Sequence, residues 1–371
     1  MTQANWFRPA VHNMQGYQPG EWPAPDAGVL KLNSNENPYP PSPKVMAALA
    51  DFNKELLKEL LRRYPDPNAT DFCRVVGETF RIPTDWVIAG NGSDDLLTML
   101  VRACAENSAS QSADKTERTL AYPMPTYVLY RTLAAIQPTA TVEIPYEIKG
   151  DEWRLPVQKL IAAQAAVTLI ATPNSPTGHR VSMAALRSLA SNLSGVLVID
   201  EAYIDFAGEG ASQTALALVK EFANVIVLRS LSKGYGLAGL RLGFGMAQPP
   251  LLAGLKKVKD SYNVDAIALK LGAVAIADQT YKAAIAQKVV AARAQLATDL
   301  SALKFRVWPS WANFLLVRPP NSRSKQLYQA LKERQIMIRY FNEPGLDDKL
   351  RITVGTPEQN ARMVSAIKEL L

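Results

Sequence analysis

The chain has 371 residues, 48% of them apolar and 20% charged, with a formal charge of +7. That length exceeds what one hydrophobic core usually organises, so two domains are expected, and the balance excludes a disordered or fibrous chain. No apolar run reaches membrane-spanning length, and two cysteines (Cys73, Cys104) and two histidines (His12, His179) give no basis for a disulfide framework or a histidine-rich metal centre. Residues 1–42 are rich in Pro, Gly, Asn and aromatics without periodicity, and read as an arm lying over a larger body. Met1–Asn5 lacks the basic start and apolar core of a secretory signal, so the cytoplasm is the default location.

Ser42-Pro43 supplies a cap and a first-turn proline, which predict a helix running to about Arg63. Short apolar runs then alternate with amphipathic patterns up to about residue 246. Strands are predicted near 86–89, 118–122, 141–146, 166–171, 196–200, 225–229 and 241–246. The alternation predicts an α/β fold whose mainly parallel, doubly wound sheet is covered on both faces. Asn107–Glu117 is small and polar, as in an exposed loop. Residues 266–303 are alanine-rich and helical with breaks, and beyond them strands near 305–308, 313–317, 336–340 and 350–354 join helices near 323–335 and 356–371. The expected division is an arm (1–42) contributing to the small domain and the site, a large domain (43–265), bridging helices (266–303) and a small α+β domain (304–371).

Four strand ends carry polar groups. After Trp86-Val87-Ile88-Ala89 comes Gly90-Asn91-Gly92-Ser93-Asp94-Asp95 and then a helical pattern, and free N–H groups at such a helix start attract a phosphate. After Ala166–Ile170 comes Thr172-Pro173-Asn174-Ser175-Pro176-Thr177-Gly178, a tight turn. Val196–Ile199 ends in Asp200-Glu201-Ala202-Tyr203, which puts a carboxylate where open α/β sheets bind ligands. Ser230-Leu231-Ser232-Lys233, with Arg241 eight residues on, brings an amine, two hydroxyls and a guanidinium together. Such an amine can form a Schiff base with an aldehyde, and the other groups can cradle a phosphate dianion. Taken singly each segment has a plainer reading: a solvated lysine loop, a turn cap at Asp200, a connecting glycine turn.

Taken together these blocks resemble the fold-type-I pyridoxal-phosphate aminotransferases, and within them the histidinol-phosphate aminotransferase branch. The similarity extends over nearly the whole chain, through Lys31–Pro38, Arg63-Tyr64-Pro65-Asp66 and Leu350–Gly355. The resemblance implies that Lys233 tethers pyridoxal 5'-phosphate as a Schiff base and moves the substrate proton. It implies that Asp200 pairs with the pyridine nitrogen and that Tyr203 donates to the ring oxygen. Ser230, Ser232, Arg241 and the N–H groups of Ser93 and Asp94 would hold the phosphate. Tyr127 aligns with an aromatic that stacks on the ring, or is an ordinary core aromatic at a helix start. Tyr64 matches a residue reaching the cofactor phosphate of a neighbouring subunit, which implies a homodimer. The family commonly reads Asn-Asn-Pro-Thr-Gly where this chain has Asn174-Ser175-Pro176-Thr177-Gly178, so either Ser175 or Asn174 would contact the ring oxygen. Arg351 matches the arginine that takes the substrate's acidic end, and Arg339, Tyr17 and Asn35 match positions around the substrate; Arg339 alone also fits a surface salt bridge.

The implied activity is transamination of histidinol phosphate with 2-oxoglutarate in a ping-pong cycle. Aromatic-amino-acid transamination and phosphothreonine decarboxylation on the same scaffold are the alternatives. A non-catalytic protein using its basic surface for nucleic acid is a reading of another class. Against it, the basic residues are dispersed, the densest cluster Lys256-Lys257-Val258-Lys259 reads as a solvated helix face, and positive charge also suits anionic small molecules. Neither nucleic acid nor membrane is an expected partner, and both histidines are expected to be incidental.

Overall fold

A computed structural model describes residues 6–14, 16, 23, 28–105, 119–208 and 214–371. The expected loop at 107–117 and Tyr17 lie outside the described residues. Seven strands form the main sheet in the order Val87–Gly90, Gly243–Ala247, Val225–Ser230, Val196–Asp200, Val167–Ala171, Leu120–Met124, Thr141–Pro145. Gly243–Ala247 runs antiparallel to both of its neighbours, and the remaining pairings are parallel.

The continuous apolar runs reflect burial on both faces. Along the central strands alternate residues enter different cores: Leu197, Ile199, Val225 and Val227 pack with Phe72, Phe244 and Leu271 on one side. Val198, Ile226, Leu228 and Leu169 pack with Leu96, Leu100 and Leu252 on the other. A period of two therefore divides each strand between two layers of helices. A third core gathers Leu30, Leu32, Val289, Leu296, Leu315, Ile352 and Ile367 around the antiparallel sheet Arg306–Val307, Phe314–Arg318, Leu350–Thr353, Arg339–Tyr340. Leu30–Lys31 pairs in parallel with Ile336–Met337, so the opening segment is built into this third core.

Three local expectations are corrected. The helix from Ser42 to about Arg63 is two helices, Pro43–Ala50 and Lys54–Arg62, because Asn53 starts a new one by accepting from the Leu56 N–H at 2.8 Å. The strand near 336–340 is two short pieces with different partners, Ile336–Met337 against the arm and Arg339–Tyr340 against Leu350–Thr353. A hairpin, Glu147–Lys149 with Glu152–Arg154, was not anticipated, although Gly150 takes a positive φ of 61° at its turn. The alanine-rich stretch is Ala266–Ala277 and Gln279–Ala302, broken at Asp278.

The parallel pairings fix where the chemistry sits. Gly90, Ser230, Asp200 and Ala171 all end their strands at the same edge, and Gly243 begins its own there.

Candidate active site

Asp200 ends its strand with 5% of its surface exposed. Its Oδ1 accepts from the Ala202 N–H at 3.0 Å and its Oδ2 from the Tyr130 hydroxyl at 3.2 Å. Burial pushes its carboxyl up to about 6, against the lowering effect of those two bonds. Among the described residues no cation pairs with it.

Lys233 lies beyond Ser230 and Ser232, both buried, and the Ser230 Oγ accepts from the Ser232 N–H at 3.1 Å to fold the turn. The Lys233 Nζ donates to the Ser34 carbonyl at 3.3 Å and stands 5.7 Å from the centre of the Tyr203 ring. The Asn37 amide donates to the Lys233 carbonyl at 2.8 Å and holds its backbone. The Tyr203 hydroxyl accepts from the Asn35 Nδ2 at 3.0 Å, which leaves its own hydrogen to donate elsewhere.

The glycine turn presents the first N–H groups of the helix Ser93–Cys104 to the same edge. Gly92 has φ +77°, and a Cβ there would lie 2.8 Å from the Arg241 Nη2; a Cβ on Gly243 would lie 2.6 Å from the Ser93 N. Both glycines therefore keep clear a space bounded by a guanidinium and helix-start N–H groups, a fit for a phosphate. Arg241 also reaches Asp94 at 3.6 Å, and the Tyr127 hydroxyl donates to the Asp94 Oδ1 at 3.3 Å.

The polar turn separates the roles of its two candidates. The Asn174 Nδ2 donates to the Pro125 carbonyl at 3.0 Å and to the Thr177 Oγ1 at 2.7 Å, while its Oδ1 accepts from the Thr126 hydroxyl at 2.8 Å. Asn174 is fully buried, and no amide hydrogen is left for a ring oxygen. Ser175 accepts from the Arg351 Nη1 at 3.0 Å and keeps its own hydrogen.

Arg351 and Arg339 are cross-strand partners, and their guanidinium carbons stand 5.8 and 5.7 Å from the centre of the Phe341 ring. Like charges placed opposite each other repel, so this pair is suited to an anion of more than one charge. The Arg351 Nη2 donates to the Asn33 carbonyl at 2.7 Å, next to the carbonyl that receives Lys233. Consecutive residues of the arm thus touch the arginine, the lysine and, through Asn35, the tyrosine. Tyr64 is not among this group: it is 79% exposed and stacked on Tyr262 with ring centres 4.3 Å apart.

Sequence reading missed Tyr130, Asn37 and the Asn33 and Ser34 carbonyls. Tyr130 stands one helical turn after Tyr127, a spacing that could have flagged it; backbone acceptors leave no trace in side-chain identity.

The sequence family described as aminotransferase class I and II matches residues 27–367, and the chain belongs to that family. More particularly, it is 55% identical over 367 residues to histidinol-phosphate aminotransferase 1 of Trichormus variabilis, covering 99% of each chain. In three dimensions it matches the crystal structure of histidinol-phosphate aminotransferase from Sinorhizobium meliloti in complex with pyridoxal-5'-phosphate, at a TM-score of 0.85 with 21% identity over 100% of both chains. It also matches a mutant aspartate aminotransferase of Thermus thermophilus at 0.80, with 16% identity over 98% of this chain and 99% of that one. The fold is aspartate-aminotransferase-like, α/β.

Proposed function

We propose that this chain is a pyridoxal-phosphate-dependent transaminase that moves an amino group between histidinol phosphate and 2-oxoglutarate, in a ping-pong cycle serving histidine biosynthesis. The observation that carries the reading is the opposed pair Arg339 and Arg351, with Arg351 donating to Ser175 and to the Asn33 carbonyl, next to the Ser34 carbonyl that receives the Lys233 amine. A phosphate monoester offers two charges to such a pair, and an aromatic amino acid offers only a carboxylate.

Bound pyridoxal phosphate supplies an aldehyde that captures amines and a cationic ring that withdraws electrons. Lys233 tethers it and then, as a free amine, takes and returns the proton at the substrate's Cα. Asp200 accepts the pyridine N–H and so keeps the ring cationic. Tyr203 donates its remaining hydrogen to the ring oxygen, and Ser175 rather than Asn174 is the second donor, because the Asn174 hydrogens are committed. Tyr127 covers a ring face. Ser230, Ser232, Arg241 and the N–H groups of Ser93 and Asp94 hold the phosphate. Arg351 orients the acidic end shared by both substrates, Arg339 and Tyr17 take the substrate phosphate, and Asn35 holds Tyr203 in place.

The enzyme is proposed to work as a homodimer, Tyr64 completing the phosphate site of the neighbouring subunit. Its exposure supports this, as do Leu61, Met46 and Leu49 exposed nearby in sequence. The division into an arm (1–42), large domain (43–265), bridge (266–303) and small domain (304–371), and a cytoplasmic location, are part of the same reading.

The test is a substrate panel on purified protein. Histidinol phosphate with 2-oxoglutarate should be turned over well ahead of phenylalanine, and carbon dioxide should not be released from phosphothreonine. Phenylalanine turnover equal or better would favour the aromatic aminotransferase. Absence of a cofactor band at the edge of the visible, and of label on Lys233 after borohydride reduction, would favour the non-catalytic binding protein. Arg339→Ala should raise KM for histidinol phosphate by roughly ten- to a hundredfold, the worth of a charge-assisted contact, and leave phenylalanine unaffected.

A further inference from the structure

His179 follows the polar turn and is not accounted for by any role above. It is 5% exposed, with Tyr146 edge-on at 4.5 Å between ring centres and Trp153 nearly parallel at 6.5 Å. Its Nδ1 is 2.6 Å from the Thr177 Oγ1. Its Nε2 has no hydrogen-bond partner among the described residues, nor have the Tyr146 hydroxyl and Trp153 Nε1.

The direction of every hydrogen in this network follows from one group that can only accept. The Pro125 carbonyl has no hydrogen, so the Asn174 atom facing it at 3.0 Å is the amide nitrogen. That orientation puts the Asn174 Oδ1 toward the Thr126 hydroxyl, which donates at 2.8 Å, and aims the second amide hydrogen at the Thr177 Oγ1, 2.7 Å away. Thr177 is fully buried, and among the described residues the His179 Nδ1 is the one acceptor that its hydroxyl meets, so the Thr177 hydroxyl sends its own hydrogen there. The imidazole is therefore the neutral tautomer with hydrogen on Nε2, and burial, which pushes it down to about 3, keeps it so. An orphaned buried N–H at Nε2 is costly, so the ring's useful contribution lies at Nδ1. The backbone repeats the tie: the Asn174 N–H donates to the His179 carbonyl at 2.8 Å.

We propose that His179 is a positioning residue that acts through Thr177 and Asn174 to clamp the turn carrying Ser175 against the turn carrying Tyr127, and so sets the slot for the cofactor ring. Pro125 and Thr126 immediately precede Tyr127, and Asn174 immediately precedes Ser175, so one buried amide spans both walls. Without an acceptor at Nδ1 the buried Thr177 hydroxyl is left with no partner for its hydrogen, its hold on the Asn174 amide is lost, and with it the tie between the two walls. The inference rests on the pyridoxal-phosphate reading of the site.

The experiment measures pyridoxal phosphate affinity and the visible circular dichroism of the bound cofactor in full-length protein. The variants are His179→Phe, His179→Asn, Thr177→Val and the double variant His179→Phe with Thr177→Val. Asparagine keeps an acceptor where Nδ1 stands; phenylalanine fills the space without one. His179→Phe should weaken cofactor binding about tenfold, the worth of one buried hydrogen bond, and diminish the dichroic band, whereas His179→Asn should restore both. In the Thr177→Val background the phenylalanine substitution should cost nothing further, since the hydroxyl it serves is gone. Equal affinity and dichroism in His179→Phe, or costs that simply add in the double variant, would overturn the clamp while the wild type still binds cofactor. A wild type that binds none would instead overturn the reading of the site. Should the phenylalanine chain fail to fold, wild-type dichroism in Thr177→Val overturns the clamp by itself, and its loss there with retention in His179→Asn supports it.

Discussion

Asp200 carries two opposing demands: its burial favours the neutral acid, and its place at the strand end calls for a carboxylate. Holding its proton up to about pH 6, where the unfolded chain releases it near the ordinary 3.8, it stabilises the cofactor-free protein at low pH and loses that contribution as pH rises through this window. Between pH 4.5 and 7 the loss is roughly 2 kcal/mol. Urea unfolding of the cofactor-free protein should show it in the wild type and not in Asp200→Asn; identical pH dependence in both would refute the assigned cause. In the loaded enzyme Asp200→Asn should lower kcat far more than cofactor affinity, because the ring then lacks the group that keeps it protonated. Lys233→Ala should still fold and bind cofactor weakly while transamination falls by roughly a hundred- to ten-thousandfold, measured in single turnovers. Both residues were singled out in the sequence only together with the other strand-end groups, because alone Asp200 reads as a turn cap and Lys233 as a solvated loop. Tyr130 was not, since its hydroxyl reaches Asp200 across seventy positions of chain.

At the scale of elements, strand positions were readable because each central strand buries both faces and so shows as an unbroken apolar run. Helix ends were less so. Ser42 caps Pro43–Ala50 by accepting from the Lys44 N–H at 3.1 Å, as its sequence suggests, but its hydroxyl also donates to Asp278, which Lys44 reaches at 3.2 Å. Asp278 lies at the break between Ala266–Ala277 and Gln279–Ala302, so one serine joins the end of the arm to the junction of two distant helices. Ser42→Ala removes both bonds and should lower unfolding free energy by about 1–2 kcal/mol in urea titration; unchanged stability would show the tie to be idle. The stop at Asp51–Asn53 escaped sequence reading because Lys54–Arg62 repeats the amphipathic pattern of a continuing helix, and only the Asn53 side chain turned onto the Leu56 N–H marks a new start.

At the scale of the molecule, the site is assembled from the edge of the seven-stranded sheet, the opening arm and the antiparallel sheet that carries Arg339 and Arg351. Tyr64 is turned outward from this assembly, and in the proposed homodimer Tyr64→Ala should reduce phosphate-dependent cofactor affinity while sedimentation matches that of the wild type and the chain's own unfolding is unaltered. A variant with full affinity would remove the subunit-crossing role. The sequence by itself determined the strands of the main sheet, the chemical groups at their ends and, through the residues and spacing of those groups, the family, because each of these is written in residue type and short-range period. Only the tertiary structure decided that Asn174 is tied inward while Ser175 faces Arg351, that two arginines stand opposed across a ladder, and that two backbone carbonyls of the arm hold the lysine and an arginine. Those outcomes depend on strand register and on the direction of single hydrogens between segments brought together only by folding, and no local pattern in the chain encodes them.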